Sequence, residues 1–246
     1  MRLFVYPYKQ TSASAKLLAT NLGAKLIKLQ NSKYQPKEAD VIIKWGSSSI
    51  PDFPVAKIFN KKPIGNKLEF FEWCHTYGID DSVPKWTTNK DQAAVWIEED
   101  HTVVARTLLN SHSGKGIVLC DKTTPLVDAP LYTQYVKKAH EYRVYYVKGH
   151  NEVMVKQKLK KTGENPSKIQ NLDNGYVYGS VNHELSPVVF ETAMKVAEAF
   201  NMDFGAIDII WNKHYNRAYV LEINSAPGMV DSTCEFFTTA FKSILA

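Results

Sequence analysis

Two apolar segments near the C-terminal end, "DFGAIDIIW" (203–211) and "RAYVLEIN" (217–224), each carry a carboxylate inside a run that reads as a buried strand. Strand side chains alternate faces, so Glu222 and Asn224 are expected to point the same way, together with Val220. Asp208 shares its face with Phe204, Ala206 and Ile210. The intervening "NKHYN" suits a hairpin, and pairing Trp211 with Tyr219 sets Asp208 opposite Glu222. Like charges across a sheet repel, and burial strengthens the repulsion. A divalent cation between them removes the conflict. Two carboxylates and an amide oxygen form an incomplete hard-oxygen set that suits Mg²⁺, with water and phosphate oxygens in the remaining positions. The same residues also fit a solvated sheet face, and Asn224 ahead of "SAPG" also suits a turn.

The 246 residues can bury a full core, as one large domain or two to three small subdomains. A formal net charge of +5 is too weak to argue for nucleic acid and fits an anionic ligand equally well. Cys74, Cys120 and Cys234 are widely spaced and form no Cys-x-x-Cys pair, so neither a disulfide framework nor a zinc site is expected. The apolar run in "MRLFVYPYK" is too short for a secretory signal, and no run approaches the roughly 20 residues of a membrane helix. A soluble, cytoplasmic protein is expected.

Element order adds more. The first sixty residues read strand ("RLFVY"), helix ("SASAKLLATNL", ending at Gly23), strand ("AKLIKL") and strand ("ADVIIKWG"), a small α/β unit with parallel pairing. "PDFPVAKIFNKKPIG" reads as a loop and boundary. From Asn66 come a helix ending near Gly78, a short strand "VPKWTT", a helix "DQAAVWIEE", and the strands "TVVARTLL" and "GIVLC". "LYTQYV", "EYRVYYVKG" and "NEVMVKQKLKK" supply three more strands, and "TGENPSKIQNLDNG" a polar, mobile loop. A helix headed by Ser186 and Pro187 follows, then the two carboxylate strands, then a closing helix "STCEFFTTAFKSIL".

Between two of these strands, "LLNSHSGKGIVL" places Ser111, Ser113, Gly114 and Gly116 in a turn that can aim backbone N–H groups at a phosphate, with Lys115 adding charge. It lacks the Walker spacing, and an ordinary flexible turn explains it as well. His112 has no partner visible in the sequence.

The order of these parts is more specific than any one of them: "NK" heading a helix, Arg106 before a glycine turn, "YTQYV" before "EYRV", then Asp208 and "LEIN.APG". In this the chain resembles the ATP-grasp superfamily, most closely its ribosomal-protein glutamate ligase-like (RimK-like) branch. The resemblance implies an α/β (α+β) ATP-grasp fold: a pre-ATP-grasp domain over 1–62 and an ATP-grasp domain over 63–246. The latter divides into a first subdomain with the glycine flap (about 63–137) and a metal-binding subdomain (138–246), which clasp ATP and two Mg²⁺ ions, with Mn²⁺ a substitute. Asp208, Glu222 and Asn224 match the metal ligands. Lys67 and Arg106 match basic positions at the phosphates, and Ser113, Gly114, Lys115 and Gly116 the flap. Gln134, Tyr135 and Val136 match the strand whose backbone meets adenine, and Glu141 the ribose ligand. Arg143 matches a basic residue near the reacting phosphate, and Lys158 and Asn171 match further positions near the triphosphate and metals. Arg106 stands where Lys is common, Gln134 where Glu is, and Lys158 where Arg is; the Gln134 change removes a charge beside adenine.

The activity so implied is ligation of a carboxylate to an amine through an acyl-phosphate. The acceptor would be a peptide, protein or small molecule, and the amine an amino acid or other amine. A glutathione-synthetase or amino-acid-ligase kind of enzyme differs only in acceptor, and a catalytically reduced nucleotide-binding module is a further alternative. Several matches also have plainer readings from the residues alone. Lys67 suits a solvated helix start, Glu141 and Arg143 suit pairing with neighbouring strands, and Lys156, Lys158 and Lys160 suit a charged sheet edge. No stacking motif supports nucleic acid, and no membrane partner is expected.

Overall fold

The alternating pattern of the first sixty residues becomes a parallel sheet in the computed structural model, which describes residues 1–46, 53–62, 65–110, 115–161, 167–171 and 173–246. Strands β1 (Arg2–Pro7), β2 (Lys25–Leu26), β3 (Asp40–Trp45) and β4 (Lys57–Phe59) lie in the order β2-β1-β3-β4. Helix α1 (Ala13–Leu22) crosses from β1 to β2. Ser12 Oγ accepts from Ala15 N–H at its start, and Gly23 (φ 63) closes it in the left-handed conformation. Strand β4 corrects the expectation of a loop. Its three residues sit between prolines, too short a run to show periodicity.

Asp40, fully buried at the start of β3, organises this unit. Its carboxylate accepts from Arg2 Nε and Nη2 (both 2.6 Å), Tyr34 Oη (2.7 Å) and the Lys37 N–H (2.9 Å). The Arg2 bond, with those from Tyr34 and Lys37, outweighs burial and pulls its pKa down to about 2. A depressed carboxyl pKa adds stability that is complete above the ordinary value of 3.8 and is lost as pH falls through about 2. Asp40→Asn is therefore expected to melt below wild type at neutral pH, with the gap closing between pH 4 and 2. A gap that does not change over that window would refute the assignment.

Helix α2 (Lys67–Thr76) opens on a capping box. Asn66 Oδ1 accepts from the Leu68 and Glu69 N–H groups, and Glu69 Oε2 accepts from Asn66 N–H. A second sheet, antiparallel in the order β5-β8-β6-β7, contains β5 (Trp86–Thr87), β6 (Val103–Arg106), β7 (Ile117–Cys120) and β8 (Leu131–Gln134). Helix α3 (Lys90–Glu98) covers it through Ala93 and Trp96.

The third sheet runs β11-β10-β9-β12-β13, wholly antiparallel: β9 (His140–Val147), β10 (Met154–Lys160), β11 (Tyr176–Ser180), β12 (Phe204–Asn212) and β13 (Arg217–Asn224). Helix α4 (Pro187–Ala199) covers one face, packing Val189, Ala193 and Val196 over Val144, Ile207, Ile209 and Val220. Ser186 holds the N-cap position, but its hydroxyl donates to Asn216 Oδ1 rather than capping. Strand β11 was not expected; it is an edge strand diluted by Gly179 and Ser180. Because β11 flanks β10, Lys156, Lys158 and Lys160 are not edge residues.

Helix α5 (Asp231–Leu245) joins the first and third sheets. Phe237 and Phe241 pack against Trp45 and Phe204, whose rings stack at 5.4 Å. Asn60, buried at φ 56, donates to Phe204 O (2.8 Å) and accepts from Asp203 N–H (2.9 Å). A Cβ added at Gly46 (φ +71) would lie 2.2 Å from Ala226 Cβ, so the end of β3 abuts the loop after β13. Among the described residues no helix is long and apolar enough to cross a membrane. The three cysteines are free and buried.

Candidate active site

The β12–β13 hairpin pairs Asp208 with Glu222 as expected, but by a different register. Trp211 pairs with Ala218, not Tyr219, and a bulge between Asp208 and Ile209 absorbs the slip. Leu221 is the extra residue. Val220 consequently turns to the α4 side, while Leu221 and Glu222 both face a cleft of about 600 Å³. The expectation that Val220 shares the face of Glu222 is corrected by that bulge.

One register row crosses the whole sheet on the cleft side: Ser180 (β11), Lys156 (β10), Arg143 (β9), Asp208 (β12) and Glu222 (β13). Arg143 Nε donates to Asp208 Oδ1 at 2.5 Å and Nη2 to Oδ2 at 2.6 Å, a two-pronged pair. Burial raises the Asp208 pKa, but the guanidinium overcomes it and holds the carboxyl below its usual range. Glu222 has no such fork. Burial, with Asp208 adding to it, pushes its pKa up, and Lys67 and an Asn224 bond (Nδ2 to Oε1, 3.2 Å) offset this only in part. The repulsion anticipated from the sequence is therefore present and unresolved at Glu222.

Glu141, buried one turn of the pleat from Arg143, accepts from Lys138 Nζ at 2.5 Å and from Lys158 Nζ. The plainer expectation for Glu141 and Arg143, that they pair with neighbours, thus describes their contacts in the structure. It leaves acceptor capacity, because a carboxylate offers about four lone-pair sites.

Lys67 and Arg106 meet on the opposite wall of the cleft. Arg106 is buried, and its Nε has no partner among the described residues. Burial pushes its pKa down, against the pull of Glu222 and Glu141. Burial does the same to Lys67, countered by Glu222, while Nζ donates to Leu109 O at 3.4 Å. A buried guanidinium with an orphaned donor calls for an anion in the cleft.

At the far end, Gln134, Tyr135 and Val136 line the cleft beside the apolar Val104, Leu119 and Ile210. Gln134 N–H is engaged by Lys85 O and Tyr135 N–H by Thr102 O, both at 2.8 Å, whereas Val136 N–H has no backbone partner among the described residues. Asn171 also lines the cleft; its Oδ1 accepts from Asn174 N–H.

Not every expected residue converges here. Asn224 reaches the cleft only through Glu222, and Lys115 and Gly116 are not among the described lining residues. Gly116 (φ +74) instead closes the β6–β7 hairpin, its O accepting from Thr107 N–H and Oγ1. Ser111, His112, Ser113 and Gly114 lie outside the described residues.

Tyr178, Lys138 and Lys168 are polar cleft residues that no sequence pattern marks. Tyr178 lies under Arg143, 4.3 Å from guanidinium to ring centre, with Lys158 Nζ at 5.2 Å, and its Oη donates to Asp208 Oδ1 at 3.2 Å. Burial and Asp208 push its phenol well up, so it remains a donor. Its strand, β11, went unread in the sequence. Lys138 was visible only as one of two lysines before "AHEYRV", and Lys168, over the Tyr135 ring at 5.9 Å, only as part of a polar loop.

Residues 66–245 match the RimK-like ATP-grasp domain. The chain belongs to the RimK-like ATP-grasp family. No curated protein matches it. Among solved structures it is similar to the ATP-grasp ligase PsnB complexed with a minimal precursor (11% identity, 99% of both chains, TM-score 0.66). It is also similar to the RiPP-associated ATP-grasp ligase of Chryseobacterium gregarium with ADP and a leader and core peptide (13% identity, 100% of this chain and 96% of that one, TM-score 0.67). The D-alanine–D-alanine ligase of Bacillus anthracis shares 12% identity over 99% of this chain and 92% of that one, with a TM-score of 0.63. At such identities these likenesses establish the ATP-grasp fold.

The donor set fits the family's magnesium. Among the described residues no group of three His, Cys, Asp or Glu side chains could hold a metal, so the carboxylates need an amide. The Asn224 amide would supply one once its O and N are exchanged by rotation, which turns Oδ1 toward Glu222. Asp208 keeps a lone-pair site beyond the Arg143 fork and Tyr178.

Proposed function

We propose that the protein is an ATP-dependent carboxylate–amine ligase acting on a peptide, protein or small-molecule carboxylate. The single observation that carries this reading is the sheet row in which Glu222, Asp208 and Arg143 stand side by side in a cleft also lined by Arg106, whose Nε has no partner among the described residues. In it, the units 1–62, 63–137 and 138–246 correspond to the three sheets. Val136 N–H and the Gln134 carbonyl meet the adenine edge, and Glu141 the ribose hydroxyls. Arg106 and Lys67 hold the phosphates, with Asn171 and Lys158 near the triphosphate. Asp208, Glu222 and Asn224 would hold two Mg²⁺ ions, replaceable by Mn²⁺, which supply charge neutralisation for phosphoryl transfer.

The acceptor carboxylate oxygen attacks the γ-phosphorus of ATP; the bond to the β,γ-bridging oxygen breaks, leaving an acyl-phosphate and ADP. The amine then attacks the acyl carbon and phosphate leaves, the amine proton passing to phosphate or solvent. Arg143 turns from Asp208 to the transferring phosphoryl group while Tyr178 keeps its guanidinium plane supported. The low-dielectric cleft strengthens these contacts and limits hydrolysis of the acyl-phosphate.

The likeness to PsnB, solved with a minimal precursor, and to the Chryseobacterium gregarium ligase, solved with a leader and core peptide, supports a peptide acceptor. The likeness to a D-alanine–D-alanine ligase supports the small-molecule reading. ADP release screened over amino acids against peptides with free carboxylates tests both. The expected product has the summed mass of acceptor and amine less one water. MgATP binding without acceptor-dependent ADP release would instead identify a catalytically reduced nucleotide-binding module.

A further inference from the structure

Most cations around the cleft pair with an anion, but among the described residues Lys156 and Lys168 make no ion pair, and Lys168 sits over the Tyr135 ring. Arg143 is held by Asp208, Lys138 and Lys158 by Glu141, and Lys67 and Arg106 feel Glu222. Lys156 also lines the cleft, and burial pushes its pKa down. Its hydrogen bond, at 2.8 Å, goes to the neutral hydroxyl of Ser232 in the first turn of α5. Among the described residues Lys156 makes no ion pair. It lies on an interior strand, so it has no part in guarding a sheet edge.

Its place in the register row says what it could meet. Lys156 is the direct partner of Arg143, with Cβ atoms about 5 Å apart for such a pair. Asp208 is one strand beyond Arg143 and Glu222 two, so Lys156 stands roughly 10 Å from the Asp208 strand position, on the side away from the carboxylate pair. The nucleotide's phosphates belong with Lys67, Arg106 and Glu222. A half-buried ammonium that lines the cleft one strand from Arg143, bonded to an exposed neutral hydroxyl, can take an anionic group of a substrate.

Building on the ligase reading above, we propose that Lys156, steadied by Ser232, is a carboxylate-recognition subsite for the substrates. The carboxylate it reads is either the α-carboxylate of an incoming amino acid or a second carboxylate on the acceptor.

L-glutamate carries both an α- and a γ-carboxylate and serves as the probe. Calorimetric titration of the full chain, saturated with MgADP, compares L-glutamate with L-glutamine, which lacks the γ-carboxylate, and with the α-amide of glutamate. Lys156→Met is expected to weaken glutamate binding at least tenfold and to leave MgADP affinity within twofold, while Lys156→Arg keeps most of the binding. The amide that wild type binds as poorly as the Met variant binds glutamate identifies which carboxylate is read. The subsite is overturned if wild type does not bind glutamate, if both amides bind as tightly as glutamate, or if Lys156→Met binds like wild type. ADP release measured in parallel separates the two claims. Binding that depends on Lys156 without ADP release from any partner defeats the ligase reading alone. ADP release with binding indifferent to Lys156 defeats the subsite alone.

Discussion

Glu222→Gln is expected to lower acceptor-dependent ADP release about 10³-fold, the cost of losing several kcal/mol of metal-assisted charge stabilisation, while raising the melting temperature of the metal-free protein. The stability gain follows from the raised Glu222 pKa. Burial and Asp208 disfavour its charge by more than Lys67 and Asn224 favour it, so a neutral isostere of the same shape removes a net penalty. The sign with pH is fixed by linkage. A carboxyl raised above its ordinary 4.5 binds more protons folded than unfolded, so wild-type stability falls as pH rises from 4.5 through the raised value. The advantage of Gln should thus be small in acid and open toward neutral pH. Mg²⁺ should erase it by stabilising wild type and not the variant. Calorimetric melts with EDTA or Mg²⁺ at pH 4 and pH 8, beside an ADP-release assay, check all of this. A variant that turns over normally, or that melts lower at pH 8 in EDTA, would defeat the assignment of Glu222.

Why the carboxylate pair was legible in the sequence, and its surroundings were not, comes down to distance along the chain. Asp208 and Glu222 lie on one hairpin, where period-two alternation and a short turn bring them together. Even there the bulge at Leu221 was invisible, since nothing in "YVLEIN" marks an extra residue; the Trp211–Tyr219 anchor missed by one position and the bulge restored Asp208 to Glu222. Capped helices such as α2, with Asn66 and Glu69 in their capping box, announce themselves locally. Strands β4 and β11 do not, being short and at sheet edges. The Arg143–Asp208 fork joins residues 65 apart, and its partner Tyr178 sits on the unread strand. Hairpin pairing singled out Asp208 and family resemblance singled out Arg143; their contact is a property of the β9–β12 register.

That contact has the second large consequence. Arg143→Met is expected to lower the melting temperature in EDTA by about 10 °C, because removing one partner of a buried pair costs about 3–5 kcal/mol, at about 2–4 °C per kcal/mol for a chain of this size. Among the described residues Asp208 would keep the Tyr178 hydroxyl and the charge of Lys158, with Glu222 opposite. Three observations distinguish an unpaired charge from simple loss of packing. Asp208→Asn in the same chain should restore much of the loss, since the double variant has no buried carboxylate to compensate. Acid should shrink it, because without the guanidinium the Asp208 carboxyl protonates at a higher pH. Mg²⁺ should raise the melting temperature of Arg143→Met more than that of wild type, for in wild type the ion competes with a guanidinium already on both carboxylate oxygens. Activity should still fall by about 10²–10³ when Mg²⁺ is restored, as expected for removing a donor aimed at developing charge. If Mg²⁺ and acid leave the deficit unchanged, Arg143 merely packs against Tyr178. If both repair it while turnover stays low, the guanidinium holds the carboxylate until metal arrives and then serves the phosphoryl group.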